Sequence, residues 1–184
     1  VNKGKDARSV VSISFSGPFT PTLENRLAAR MAQGVLDILV RQDLREARAG
    51  IYGAGVNVGI STTPDPEFSF DIQFTAEPTR VNELVEAVFT QINDLRDNGP
   101  SAENFAKVHE QVLRNHQENL KSNDAWATWL DRYIVENEAN PETILSIGDA
   151  IDNMTPEQVQ AMAQQLFPTD RRVELILHPE GFGE

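Results

Sequence analysis

Hydrophobic and polar positions alternate along four stretches of the chain, and this period of two is typical of β-strands. In the first stretch, Val11, Ile13 and Phe15 share one face. The second and third stretches are separated only by a short turn-forming segment, so together they predict an antiparallel hairpin. The four predicted strands cover residues 8–15, 52–61, 67–75 and 173–177.

Between these strands the hydrophobic residues recur at helical spacing. A long helix is predicted to begin at Pro21, with Thr20 as its N-cap, and to run to about Ala49. Gly50 is well placed to end it, because glycine readily adopts the left-handed conformation found after helices. Further helices are predicted after Pro78, after Ser101 and after Thr155.

The order of elements is strand, helix, two strands, several helices and strand, so helices and strands do not alternate one for one. This order predicts an α+β fold, an antiparallel or mixed β-sheet with several helices packed on one face. No repeat, low-complexity tract or linker interrupts the sequence, and residues 1–184 are predicted to form a single α+β domain. The sequence starts at Val1 without an initiator methionine or a leader-like segment, so we expect a fragment of a larger protein.

Composition and charge limit the classes of molecule that this chain could bind. The chain is 40% hydrophobic and 24% charged, which is typical of a globular domain, and its net charge is −12. Nucleic acid and anionic membrane surfaces would be repelled by this charge, so neither is an expected partner. The absence of cysteine excludes thiol catalysis, thiolate zinc sites and disulfides.

The three histidines do not form a predicted metal site. His109 and His116 lie two turns apart, or roughly 10.5 Å along a helix at 1.5 Å per residue. Zinc–nitrogen bonds are only ~2.0–2.1 Å long, so this pair cannot share one ion on a regular helix. We interpret both as polar surface residues and His178 as a residue at the end of a strand. The chain also has no G-x-S-x-G nucleophile motif.

One pair of residues is a candidate for chemistry. Arg45 falls in the last turns of the predicted long helix, and Tyr52 opens the following strand, so both could point into the same space. A guanidinium and a phenolic hydroxyl could together hold a peptide carbonyl, or the oxyanion that forms when it is attacked. On the residues alone, Arg45 could equally be a basic side chain that complements the helix dipole.

The segment 44–52, Leu-Arg-Glu-Ala-Arg-Ala-Gly-Ile-Tyr, resembles the L-R-E-x-x-x-x-x-Y segment in non-catalytic domains of pitrilysin/insulinase-type zinc peptidases. The surrounding elements resemble that family in the same order over nearly the whole chain. They include the strand before the long helix, the strand 70–74 followed by Pro78 and an amphipathic helix, the segment 98–103 and the closing segment 177–180.

The resemblance implies a repeated α+β domain in a chamber of two halves, with an H-x-x-E-H zinc helix in one half only. This chain lacks that motif, so it resembles the metal-free half. Arg45 and Tyr52 would then bind substrate and stabilise the tetrahedral intermediate of an endopeptidase, and this chain alone would be inactive. No cofactor is expected here, because the zinc would belong to a partner domain.

The partners implied by the resemblance are a peptide substrate and the N-terminal catalytic domain or domains of the same protein, or those of a sister subunit. Many proteins of this kind are bacterial and periplasmic, which favours that compartment. An alternative is a non-catalytic family member that acts only in assembly or peptide binding. An H-x-x-E-H helix elsewhere in the whole protein would favour the peptidase.

Overall fold

The computed structural model describes the backbone of residues 1–4, 7–47, 51–135 and 141–183. Within those ranges, the side chains of residues 4, 45–47, 51, 52, 132, 135, 141 and 142 lie outside the description. In the described part of the chain, no helix combines the length and the apolar character needed to cross a bilayer.

Within the backbone that the structure describes, five strands form one mixed sheet in the order β1-β5-β2-β4-β3. The short β1 runs parallel to β5, and every other neighbouring pair is antiparallel. The predicted hairpin is confirmed as β3 and β4, and the short β1 was not predicted. The strands are β1 (Asn2–Gly4), β2 (Ser9–Pro18), β3 (Ile51–Ser61), β4 (Glu67–Ala76) and β5 (Val173–Pro179).

The described residues include six α-helices, which confirm the α+β prediction with helices on one face of the sheet. Helix α1 packs along β3 and contacts α2, α3 and α6, and α6 also contacts β2 and α2. The helices are α1 (Leu23–Arg41), α2 (Val81–Asn98), α3 (Ala102–Asn119), α4 (Asn123–Val135), α5 (Ile147–Asp152) and α6 (Pro156–Leu166).

The core lies between the helices and one face of the sheet, which we call the helix face. Alternate residues of the central strands point into it, and Phe70 and Phe74 of β4 are almost completely buried there. Phe167, directly after α6, meets Phe70 edge-on with ring centroids 4.7 Å apart, and it meets Phe15 of β2 at 5.4 Å. This aromatic cluster joins the last helix to the middle of the sheet.

The predicted long helix is observed, but it begins later than predicted, and its predicted end at Ala49 and Gly50 lies outside the described residues. It begins two residues later, because the Thr22 hydroxyl accepts from the Asn25 amide at 3.2 Å and is the true N-cap. The Asn25 side chain in turn donates to the Thr20 carbonyl at 2.9 Å, which holds Thr20 outside the helix. The regular α-helix ends at Arg41 and is followed by a π-helical segment, Gln42–Ala47.

The later caps agree with the sequence. Ser101 accepts from the Asn104 amide at 3.2 Å, and Thr155 and Gln158 form the reciprocal capping box at the start of α6. Gly99 has a φ of +76°, and its amide donates to the Leu95 carbonyl to close α2.

The interpretation of His109 and His116 as a surface pair is wrong. His116 is only 9% exposed, and its ring lies 6.0 Å from that of Trp129 on α4. His109 is half-buried and its Nε2 lies 2.9 Å from the Ile151 carbonyl oxygen, so it ties α3 to α5. Both residues are covered because α4 and α5 pack against α3, and the spacing within α3 could not show this.

Candidate functional site

The corner between α1 and β3 carries the residues singled out in the sequence. Arg45 belongs to the π-helical segment that continues α1, and the completely buried Leu44 beside it anchors this segment to the core. A π-helical turn contains one more residue than an α-helical turn and is often found at functional sites. The local backbone around Arg45 therefore departs from a regular helix while it remains fixed to the core.

Tyr52 lies at a second irregularity, on the strand side of the same corner. The register of β3 against β4 shifts between Ile51, which pairs with Ala76, and Ala54, which pairs with Phe74. Three steps along β3 therefore oppose two steps along β4, which is the signature of a β-bulge with one extra residue. Such bulges re-aim side chains, and they are frequent beside active sites.

The side chains of Arg45 and Tyr52 lie outside the described residues, as does the segment 48–50 between their two elements. Arg45 lies on the segment that continues α1, and Tyr52 lies on β3. These two elements lie side by side, because α1 packs along β3. Whether their side chains converge remains a prediction.

β3 is an edge strand, with β4 as its neighbour in the sheet. Near its middle, the Gln33 side chain of α1 donates to the Val56 carbonyl at 2.8 Å. This contact could not be predicted from the sequence, because a glutamine at one helical position has no distinctive pattern. Gln33 therefore occupies a main-chain group that an added strand would otherwise use.

The three histidines lie in separate surroundings in this fold. The Nε2 of His109 is within hydrogen-bond distance of the Ile151 carbonyl, and burial lowers the pKa of His116, which lies beside Trp129. His178 is on β5, where its Nδ1 lies 2.8 Å from the Ser9 hydroxyl. Within the described ranges, no three histidine, aspartate or glutamate side chains are grouped as a metal site would require.

Comparison with known proteins identifies the fold. Residues 1–112 match the family model described as the Peptidase M16 inactive domain. A curated relative from Arabidopsis thaliana, "Zinc protease PQQL-like", is 30% identical over 105 residues. That match covers 54% of this chain but only 11% of the relative.

Two solved structures share the fold over almost the whole chain. The periplasmic protease PqqL from Escherichia coli aligns with a TM-score of 0.83 at 19% identity, over 98% of this chain and 20% of that one. A peptidase M16 inactive domain from Pseudomonas fluorescens aligns with a TM-score of 0.81 at 15% identity, over 97% of this chain and 42% of that one. This chain thus spans less than half of each of these three proteins. The family match confirms the resemblance seen in the sequence, and the chain belongs to the inactive-domain family of the M16 zinc peptidases.

Proposed function

We propose that this inactive domain supplies Arg45 and Tyr52 to the active site of a zinc-dependent endopeptidase. The Arg45 guanidinium and the Tyr52 hydroxyl would bind the carbonyl of the scissile peptide bond and donate to the oxyanion that develops on it. Activation of the attacking water would be supplied by zinc on a catalytic domain of the same protein or of a sister subunit. The domain alone would hydrolyse nothing.

The observation that carries this proposal is the pair of backbone irregularities at the α1–β3 corner. Arg45 occupies a π-helical turn and Tyr52 a β-bulge, and either irregularity alone could be a packing accident. Their occurrence on both sides of one corner, at the two residues that the family resemblance selects, favours a functional reason. The buried Leu44 would help to hold the Arg45 donor in place, because it anchors the π-helical segment to the core.

The chemistry suits these two side chains. Arginine stays charged at any physiological pH and presents several donors in a fixed plane, while tyrosine contributes a neutral hydroxyl donor. Donors that are already in place when charge develops stabilise the transition state more than the ground state. Neither residue needs to exchange a proton, so both roles are compatible with a metal-free domain.

The edge of β3 offers a route for the peptide itself. An extended substrate could add to the edge from the bulge towards Val56 and so pass close to Tyr52. Beyond that point it would compete with the Gln33 side chain for the Val56 carbonyl. The proposal therefore places the peptide on the first half of the strand.

The test uses the full-length protein that contains this chain. Arg45→Ala and Tyr52→Phe should each lower kcat by about 10²–10³-fold, because removal of one oxyanion donor typically costs that much. Arg41→Ala and Tyr133→Phe are matched controls, since Arg41 is an exposed residue paired with Asp37 and Tyr133 lies on α4. Thermal unfolding should show that all four variants stay folded.

A second candidate function is assembly or peptide binding without catalysis. The exposed apolar residues of β5 favour it, since such a row could contact a neighbouring domain. If the full-length protein hydrolyses peptides and keeps its normal kcat in both Arg45→Ala and Tyr52→Phe, the proposed catalytic role is wrong. If the full-length protein hydrolyses no peptide at all, assembly or peptide binding becomes the better-supported function.

A further inference from the structure

A cavity of about 300 Å³ opens between α1, α3 and the second half of β3, with α4 and α5 at its margin. Its apolar side chains include Leu27 of α1, Val58 of β3 and Val112 of α3. It is remote from Arg45, since about 12 Å of helix axis separate Gln33, the lining residue of α1 nearest to that corner, from Arg41 at the end of α1, at 1.5 Å per residue. The cavity is therefore a separate feature from the α1–β3 corner.

The polar side chains of this cavity have an unusual composition. Arg26 and Arg30 lie one helical turn apart on α1, and Asn115 and Asn119 lie one turn apart on α3. Among the described residues that line the cavity there is no aspartate or glutamate, although the chain has 28 acidic residues and a net charge of −12. The cavity is thus a locally basic site on an acidic protein.

Arg26 and Arg30 are held differently. The Nε of Arg26 donates to the Pro21 carbonyl at 3.2 Å, which orients the guanidinium at the start of α1. Arg30 is exposed and makes no hydrogen bond or salt bridge with the part of the chain that the structure describes. Arg26 is therefore engaged with the rest of the chain, and Arg30 is the guanidinium at the rim that a ligand can reach.

His116 adds a buried polar group to the same cavity. It is 9% exposed, and its ring makes no hydrogen bond within the described ranges, where its aromatic neighbour is Trp129. A buried imidazole without a partner is uncommon, because a polar group removed from water costs free energy unless it is hydrogen-bonded. Because the His116 ring lines the cavity, a ligand bound there would change the surroundings of this ring.

We propose that this cavity binds a branched aliphatic group that ends in a carboxylate. The aliphatic part would fill the apolar floor around Leu27, Val58 and Val112, and the carboxylate would lie against Arg30 at the rim. A planar guanidinium binds a carboxylate through two parallel hydrogen bonds, and the Asn115 amide can donate a further one. The site does not depend on the proposed role of Arg45 and Tyr52.

Two sources offer this chemistry, the C-terminal residue of a peptide and a free carboxylic acid. The probes are N-acetyl-L-leucine, N-acetyl-L-leucinamide and 4-methylpentanoate, each titrated into the chain at constant ionic strength. Binding is measured by calorimetry and by the NMR signals of the His116 ring. N-Acetyl-L-leucine should bind at least about tenfold more tightly than the uncharged amide, a difference of ~1.4 kcal/mol. A peptide terminus is the source if 4-methylpentanoate binds more weakly than N-acetyl-L-leucine, and a free acid is the source if it binds as well or better.

Two variants make the test specific. Arg30→Gln removes a charge from an exposed side chain, and Asn119→Asp places a carboxylate in the exposed part of the lining, so each should weaken N-acetyl-L-leucine binding at least about tenfold. Arg114→Gln is the control, because Arg114 pairs with Glu110 on the exposed side of α3. The proposal is overturned if the amide binds as tightly as the acid, if Arg30→Gln and Arg114→Gln behave alike, or if the His116 signals do not move.

Discussion

The two faces of the sheet use the same alternating pattern for opposite purposes. On the helix face, β4 presents Phe70 and Phe74, which are almost completely buried. On the other face, which we call the open face, β5 presents a row of apolar side chains that remain exposed, and Leu175 is 62% exposed. The rest of this row is Val173, Leu177 and, on the neighbouring β2, Val10.

The difference in burial between these two sets of residues follows from the pairing of β5 with β2. Leu175 pairs with Ser12 and Leu177 pairs with Val10, and these β2 residues alternate with the core residues Val11 and Ile13. Because side chains in a strand alternate between faces, the apolar residues of β5 point away from the helices. A period of two thus identifies a strand without showing which of its faces is buried.

The largest expected effect is on the helix face. Phe70→Ala should lower the free energy of unfolding by about 3–5 kcal/mol, because it removes a buried ring from the cluster with Phe167 and leaves a cavity. Leu175→Ala, on the open face, should change it by no more than about 0.5 kcal/mol. Urea denaturation of both variants measures the contrast. Equal losses would show that the row on β5 is buried in solution, by association for example.

The space available to a new methyl group gives the next comparison. A Cβ added to Gly34 of α1 would lie 2.9 Å from a methyl carbon of Val108 on α3, whereas one added to Gly55 of β3 would come no closer than 3.9 Å to Asn57. Gly34→Ala should therefore cost about 1–3 kcal/mol through overpacking, reduced by up to ~1 kcal/mol because alanine favours the helix.

Gly55→Ala is the matched control, because Gly55 pairs with Gln73 on the open face. Its expected change in the free energy of unfolding is within about 0.5 kcal/mol. A stabilised Gly34→Ala variant would mean that α1 and α3 can move apart without loss, which contradicts close packing of these helices. Thermal and urea unfolding of the two variants decide the point.

The parts of this fold that were predictable are those fixed by local pattern. The helix caps at Ser101 and Thr155 and the hairpin were correct, because each depends on residues close together in sequence. The short β1 was missed because three residues carry no periodicity and its pairing with β5 spans nearly the entire chain.

The functional residues also fall into those that could be predicted from the sequence and those that could not. Arg45 and Tyr52 were found because family resemblance selects them, whereas their backbone irregularities have no sequence pattern of their own. The cavity near Arg30 was missed because its residues come from five separate elements. The burial of His116 was missed for a related reason, since it depends on how α4 and α5 fold back towards α3.

The smallest expected effect on stability comes from His116. It compares this buried polar residue with the buried apolar residues of the helix face. Burial lowers the pKa of His116 in the folded state, so the unfolded chain takes up a proton there at a higher pH than the folded protein does. Stability from this residue is therefore fully present above the ordinary histidine pKa of about 6.5 and is lost as the pH falls from there towards the lower folded-state pKa.

His116→Gln should reduce that loss, because glutamine carries no titrating proton in this range. The measurement is the free energy of unfolding between about pH 7.5 and pH 5, where histidine titrates, for the original chain and the variant. The difference between the two should widen in favour of the variant as the pH falls. Parallel curves would show that His116 is protonated as readily in the folded as in the unfolded chain, and that the cavity beside it admits enough water to solvate the charge.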